Sequence, residues 1–321
     1  MYLDRKTDMI MAGGRHPMKA KYSVGFKSDG KITALHLDLK INAGISPEFS
    51  PAIPYAIVGA LKKYNWGALA IDITVCKTNV SSKSAMRAPG DAQGSFIAEA
   101  IVEHVASTLS VATNTIRRKN LHDLESLKVF FGDSAAGEAS TSSYSLVTIF
   151  DRLASTPEYQ RRAAMVEQFN GSSRWKKRGI SCVPITYSVT LRPSPGKVSI
   201  LNDGSIAVEV GGVEIGQGLW TKVKQMTAFA LGQLCDDGGE GLLDNVRVIQ
   251  ADTLSMIQGG WTAGSTTSET SCEAVRKSCA ALVERLKPIK EKAGTLPWKS
   301  FIAQVRKKKT SKFSTPSVLK F

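Results

Sequence analysis

Gly211-Gly212-Val213-Glu214-Ile215-Gly216-Gln217-Gly218-Leu219-Trp220-Thr221-Lys222 is the stretch on which the reading of the fold turns. Ahead of it, Ser205 to Val210 has the β-branched, half-alternating character of a strand. Behind it, Leu219, Val223, Met226 and Ala230 recur at helical spacing, which predicts a helix to about Leu234. The glycines therefore stand where a strand turns into a helix. Gly216 and Gly218 tolerate backbone angles closed to other residues and put no side chain in the way of a ligand. The first amides of a helix lack internal partners and carry partial positive charge, which suits a phosphate or another anion. The plain alternative is a tight turn that only joins two elements. A dinucleotide fingerprint would want glycine where Thr221 stands. A Walker loop would want Gly-Lys-Ser/Thr, whereas Lys222 follows Thr221. Both nucleotide readings are disfavoured.

Two other strand-to-helix turns have the same character. Ser81 to Gly94 joins a strand to a helix whose buried face is marked by Phe96, Ile97, Ala100, Ile101 and Val105. Within it, Arg87 is a fixed cation beside a helix start, able to hold an anion or a carbonyl. Gly259 to Ser268 leads into a helix on which Cys272, Val275, Cys279, Leu282, Val283 and Leu286 line up, with Pro288 marking its end. Ser265 to Ser268 supplies hydroxyls and free amides at that start, where ordinary capping needs one such side chain. The expectation is that the turns around Arg87, Gln217 and Ser265 meet on one polyanionic ligand.

The 321 residues, 42% of them hydrophobic, suffice for two domains with real cores. A formal net charge of +14 asks for an anionic partner or acidic neighbours. The one dense basic run, Arg306-Lys307-Lys308-Lys309, has no interleaved aromatics, so it reads as a solvated tail and not as a nucleic-acid surface. The five cysteines form no Cys-x-x-Cys pair, and their odd number and sparse spacing point to a reducing compartment. Without an apolar leader or membrane-length run, a cytoplasmic location is the default. No Ser-His-Asp set, metal cluster or paired-carboxylate motif is present, so any chemistry belongs to a bound cofactor.

Along the chain, residues 18–43 alternate around Ser28-Asp29-Gly30 and residues 198–210 around Asn202-Asp203-Gly204, two hairpins that hint at two domains of similar plan. Helices are expected at Ile57–Lys62, 113–130, Ser145–Leu153 and Glu158–Asn170. Strands are expected at Leu69–Cys76, through Cys182 to Tyr187, and at Val246–Ala251. The fold class is α+β, with a first domain at 1–131, a linker at 132–145, a second domain at 146–305, and a basic, disordered tail at 306–321.

Together these motifs carry a resemblance. Tyr2-Leu3-Asp4-Arg5, Gly13-Gly14-Arg15-His16-Pro17, Cys76-Lys77-Thr78-Asn79, Arg87-Ala88-Pro89-Gly90, Arg118-Lys119-Asn120-Leu121 and Gly211 to Lys222 resemble the molybdenum-binding portion of the xanthine dehydrogenase and aldehyde oxidase family. Ala85 to Asp91 is most similar to plant aldehyde oxidases of the indole-3-acetaldehyde and abscisic-aldehyde type. The resemblance implies two mixed α/β molybdopterin-binding domains with their glycine turns facing the cofactor. It assigns Gly216, Gln217 and Gly218, and Thr262, Ala263, Gly264, Ser265 and Thr267, to cofactor binding. Arg87 and Gly264 would lie near molybdenum without ligating it. Pro89 stands where purine-oxidising relatives carry Phe, and Tyr55 where they carry a purine-binding Arg, so both positions favour an aldehyde over xanthine.

The family's Gly-Glu-Pro-Pro base is not found, nor is the glycine loop expected ahead of Tyr2. The chain therefore reads as an internal piece, inactive alone, with the family's 2Fe-2S and FAD groups on other domains and homodimers among full-length relatives. A non-catalytic remnant, a purine hydroxylase segment and a basic polyanion-binding module are the alternatives.

Overall fold

The same order of elements is used twice: an antiparallel hairpin, a helix, a third strand parallel to the second, and a long helix. The computed structural model describes residues 4–132, 144–187, 192–249 and 261–307. By packing, the chain divides into two units, Met1–Ser188 and Val189–Phe321.

The first unit opens with α1 (Arg5–Met11), whose first turn is capped by the Asp4 carboxylate accepting from Thr7 N–H at 2.9 Å. Strands β1 (Met18–Phe26) and β2 (Ile32–Gly44) form the hairpin through the turn closed by Gly30. Alternation on β2 buries Leu35, Leu37, Leu39 and Ile41 and leaves His36 and Lys40 outside. Next come α2 (Ile53–Leu61) and β3 (Ala68–Lys77), which pairs parallel to β2. Helix α3 (Asp91–Leu109) then packs on α2. Gly94 makes that approach possible, because a Cβ there would lie 2.9 Å from Ile57 O and 3.0 Å from Ala60 Cβ.

The helix expected over 113–130 is two helices, α4 (Thr113–Asn120) and α5 (Leu124–Phe131). Asn120 ends the first by turning its amide onto the hairpin, accepting from Ile32 N–H and donating to Gly30 O. Leu121 then bridges to Tyr64, and the Asp123 carboxylate caps the second helix through Ser126 N–H at 2.7 Å.

Helices α6 (Leu146–Ala154) and α7 (Pro157–Ser172) follow. Phe150 is buried in the first core, with Leu146, Val147, Ala154 and Tyr159 packed against it. Packing therefore joins these helices to the first unit, whereas the expected second domain began at 146. Most of the expected 132–145 linker lies outside the described residues. The strand expected through Cys182 is irregular chain that forms no ladder with any described strand. Its Cys182 side chain is buried in the first core, and Asn170 binds the backbone of Arg178.

In the second unit β4 (Gly196–Ile200) and β5 (Ile206–Val210) pair antiparallel, and β6 (Val246–Ile249) pairs parallel to β5. Helix α8 (Leu219–Gly232) packs on α9 (Thr267–Ala293), with Val223, Leu231, Val275 and Cys279 in the core between them. Pro288 does not end α9. The helix continues to Ala293, where Gly294 at φ +70 stops it. One lost N–H is offset by the cluster that Leu286, Ile289 and Ala293 form with Phe301 of α10 (Trp298–Lys307). Helix α10 also takes in Arg306 and Lys307, the start of the expected tail; the rest of that tail lies outside the described residues. No described helix is long and apolar enough to cross a membrane.

His122, 1% exposed, sets a pH limit on the first unit. Burial, aided by Lys31, pushes its imidazole down to about 4 against the opposing pull of Asp123. The unfolded chain thus takes up this proton first, near the ordinary histidine value of 6.5. The stabilisation is complete above pH 6.5 and is lost as pH falls from there to about 4. It amounts to up to about 3 kcal/mol. Urea unfolding of wild type and His122→Asn at pH 7 and pH 4.5 should show the larger acid loss in wild type. Equal losses would remove His122 from the account.

Candidate functional site

In the first unit the Arg87 turn is held from behind by the glycine loop that precedes β1. Arg15 donates to Arg87 O at 2.7 Å, to Ala88 O at 3.2 Å and to Gln93 Oε1 at 3.3 Å. Lys83 Nζ donates to Gly13 O at 3.0 Å. Gly13 allows this contact, since a Cβ there would lie 2.0 Å from Ser82 O. Ala88 sits at φ +53, and Gly90 at φ +85 rests on Ile53 O and Ala56. The result is a braced turn that leaves the Arg87 side chain exposed. Tyr55 lies on the helix that Gly90 touches and is 82% exposed, and Pro89 is half-buried beside it in sequence. His16, behind the turn, is buried against Ser50 Oγ at 2.8 Å, and desolvation, then Lys83, lowers its pKa.

In the second unit the expected anion site at the start of α8 is filled by the chain itself. Glu214 accepts from Gly216 N–H at 2.8 Å, Gly218 N–H at 3.1 Å and Trp220 N–H at 3.2 Å. Desolvation is the largest influence on this carboxyl and pushes it up. The backbone donors of Trp220, Gly216, Gly218 and Gln217 together outweigh it and hold the group below the usual carboxylate range. Gly216 at φ +98 and Gly218 at φ +80 supply the curvature that aims those amides inward. A helix start prefers an anion, and here a carboxylate from the same loop meets the preference.

Gln217 closes the loop from the other side. Its Oε1 accepts from Ile215 N–H at 2.7 Å and its Nε2 donates to Val213 O at 2.9 Å. A carboxamide with those bonds keeps one donor and one acceptor for a ligand. Val213 N–H donates to Thr262 Oγ1 at 3.0 Å, which ties this loop to the one that starts α9. The Gln217 and Ser265 turns are thus neighbours, as expected, and the Arg87 turn belongs to the other unit.

Between these two loops lies a cavity of about 100 Å³ whose walls include Arg192, Ser194, Gly212, Trp261, Thr266 and Thr267. Gly264 at φ +73 and Ser265 at φ +59 form an exposed left-handed step on its rim. Ala263 and Thr267 line it. Thr266 is the N-cap residue of α9, yet its side chain makes no capping bond and is 3% exposed. Arg192, Glu214 and Arg15 were not singled out from the sequence. An acid two residues ahead of a Gly-x-Gly helix start was the available signal for Glu214; the two arginines carry none.

The description molybdopterin cofactor-binding domain matches this chain twice, over residues 1–121 and 152–315. The chain is 99% identical over 304 residues to probable aldehyde oxidase 1 of Oryza sativa, covering 95% of this chain and 22% of that protein. It is 80% identical over 308 residues to an indole-3-acetaldehyde oxidase of Zea mays, and 56% identical over 309 residues to the abscisic-aldehyde oxidase of Arabidopsis thaliana. Each comparison covers 95% of this chain and 23% of the relative. The chain thus spans under a quarter of the length of these curated relatives. Among solved structures, the aldehyde oxidoreductase of Desulfovibrio desulfuricans superposes with a TM-score of 0.63 at 20% identity, over 90% of this chain and 30% of that one. The Cu,Mo-CO dehydrogenase gives 0.65 at 17% identity, over 85% and 35%. At such identities the likeness is one of fold.

Proposed function

The chain belongs to the molybdopterin cofactor-binding domain family, and from that premise we propose that it serves as the pterin-holding part of an aldehyde-oxidising molybdenum hydroxylase. The observation that carries the reading is the joining of the Gln217 and Ser265 loops through Thr262 Oγ1 beside one small cavity. The residues fit such a group. Gly216 and Gly218 have open space where a Cβ would stand, so a flat ring system can approach the backbone. Gln217 keeps a free donor and acceptor, and Thr266 is a buried hydroxyl without a cap bond.

In this reading Gly216, Gln217 and Gly218 orient the pterin, and Thr262, Ala263, Gly264, Ser265 and Thr267 hold it from the second loop. Arg87 supplies a fixed cation for the region of the metal, steadied through its own carbonyl by Arg15. Bound there, the cofactor supplies the oxidising chemistry. Pro89 and Tyr55 favour an aldehyde, since Pro89 offers no aromatic ring at the position used to stack on a purine and Tyr55 no cation at the position used to bind one. The plant relatives are named aldehyde oxidases in each case, which supports that substrate class.

The test is the pterin and molybdenum content of the chain purified from a host that makes the cofactor. Near-stoichiometric pterin is expected. A chain that folds but carries neither pterin nor metal would overturn the reading.

A further inference from the structure

Helix α7 has no buried residue, and the chain that leaves it folds straight back on its last turn. The Asn170 carboxamide makes both bonds of that closure. Its Oδ1 accepts from Arg178 N–H at 2.8 Å, and its Nδ2 donates to Arg178 O at 2.9 Å. Lys177 Nζ donates to Asn170 O at 2.6 Å, and the Arg178 guanidinium stacks on the Phe169 ring, 3.8 Å from its centroid. The loop between Asn170 and Arg178 is thus pinned at both ends, and much of the entropy of ordering it is already lost before any partner arrives.

What the closed loop displays is Trp175, 85% exposed, with the Arg174 guanidinium 4.7 Å from its ring centroid. Arg174, Lys176, Lys177 and Arg178 are exposed as well. No described carboxylate lies within ion-pair distance of any of the four. Glu158 is taken by Arg161 and Arg162, at 2.8 and 2.6 Å, and Glu167, the nearest acid in sequence, pairs with none of them. Tryptophan ordinarily covers most of its area inside a fold, and Trp and Arg are the residues most enriched where proteins bind through a few strong contacts.

Three kinds of partner fit the loop poorly. Single-stranded nucleic acid asks for a basic groove with successive aromatic platforms, and the loop offers one indole. A bilayer asks for an apolar face, and both sequence neighbours of Trp175 are charged. A second copy would bring the same four cations against these, on a chain of net charge +14. An acidic protein segment with an apolar seat for the indole meets every requirement. The chain spans 22% of its Oryza sativa relative, so the longer protein has ample length to supply one.

We propose that the Arg174-Trp175-Lys176 tip docks into an acidic segment contributed by the portion of the aldehyde oxidase outside these 321 residues, with Trp175 as the anchor and the four cations as its guides. The inference rests on membership of the family and is independent of where the pterin sits.

The test uses the full-length Oryza sativa relative, whose 304-residue match includes Trp175. A photoreactive benzoylphenylalanine takes the place of that tryptophan, the protein is irradiated, and the cross-linked peptides are identified by mass spectrometry. The expected product joins the loop to an acidic stretch of the same polypeptide, outside the matched residues, and runs at monomer mass on a denaturing gel. A cross-link within the matched residues, to a second copy or to a stretch without acids, or no cross-link, overturns the proposal.

Trp175→Ser and the double variant Arg174→Glu with Lys176→Glu supply a second reading. In the 321-residue chain neither should move the melting temperature by more than about 1 °C, because these side chains are exposed and the cations unpaired. In the full-length protein each should lower it by about 3 °C or more, through loss of the anchor or reversal of the charge. Equal shifts in the two proteins, or no shift in the longer one, overturn the docking role.

Discussion

Replacing Glu99 by Ala should cost the first unit about 3–5 kcal/mol, enough to unfold a marginal domain. Glu99 lies on α3 among buried cations. Lys63 Nζ is 2.9 Å from its Oε1, and Arg117 Nε is 2.7 Å from its Oε2. Tyr64 OH donates to it at 2.9 Å. The Lys63 side chain is 0% exposed and that of Arg117 is 3% exposed. Removing the one carboxylate that both share leaves two charges in a dry interior, with Glu103 reaching only Arg117. Desolvation already lowers the Lys63 pKa, with attraction to Glu99 opposing it, so the lysine would shed its proton in the variant. Chemical denaturation of the chain measures the cost. A loss below about 1 kcal/mol would mean that the cluster is solvated in a way the geometry excludes. Replacing Lys63, Glu99 and Arg117 together by Met, Leu and Leu should recover much of the stability, because an apolar cluster carries no desolvation debt.

Glu214→Ala should cut pterin retention at least tenfold while leaving thermal stability nearly unchanged. The carboxylate is the common acceptor for the N–H groups of Gly216, Gly218 and Trp220, two of them left-handed glycines of one loop. Without it the amides turn to water and the Gln217 side chain loses its platform. Glu214→Gln keeps a neutral acceptor and should retain an intermediate amount. Pterin released by denaturation and quantified per chain reads the effect. Undiminished retention in the Ala variant would show that Glu214 only decorates the turn.

Much of the framework was legible because it is written in short-range chemistry. Asp29-Gly30 and Asp203-Gly204 gave both hairpins, and the two sheets repeat one plan as those turns hinted. The apolar rows of α8 and α9 marked their buried faces, and Ile97, Ile101 and Val105 did so on α3, whereas Phe96, expected on that face, is 75% exposed because it lies one position ahead of the row that meets the core. Where the reading went astray, a distant partner decided the matter. Asn120 looks like one more helical residue until its amide meets Ile32, 88 positions away. Pro288 reads as a stop unless the cluster around Phe301 is known. Phe150 and its neighbours follow a gap of Gly, Ala, Ser and Thr, yet pack with the unit before it.

The same holds at the candidate site. Glycines and hydroxyls showed where backbone would be exposed. That Glu214 would fill one helix start while Arg192 lines the cavity beside the other depends on loop geometry that no spacing rule encodes. Arg15 was read as part of a turn, and its contact with the Arg87 carbonyl crosses 72 positions.

The hairpin-then-crossover plan of each sheet also sets an order of events during folding. β1 and β2, like β4 and β5, meet across a few residues and can close within microseconds. β3 and β6 must wait, since each can lie beside its parallel neighbour only after a helix has been laid between them. Until then β2 and β5, the most buried strands of the finished sheets, show one bare edge to solvent. The newly made chain is therefore most prone to sticking in the interval between hairpin and third strand, and a chaperone that shields that edge would raise the yield of folded protein.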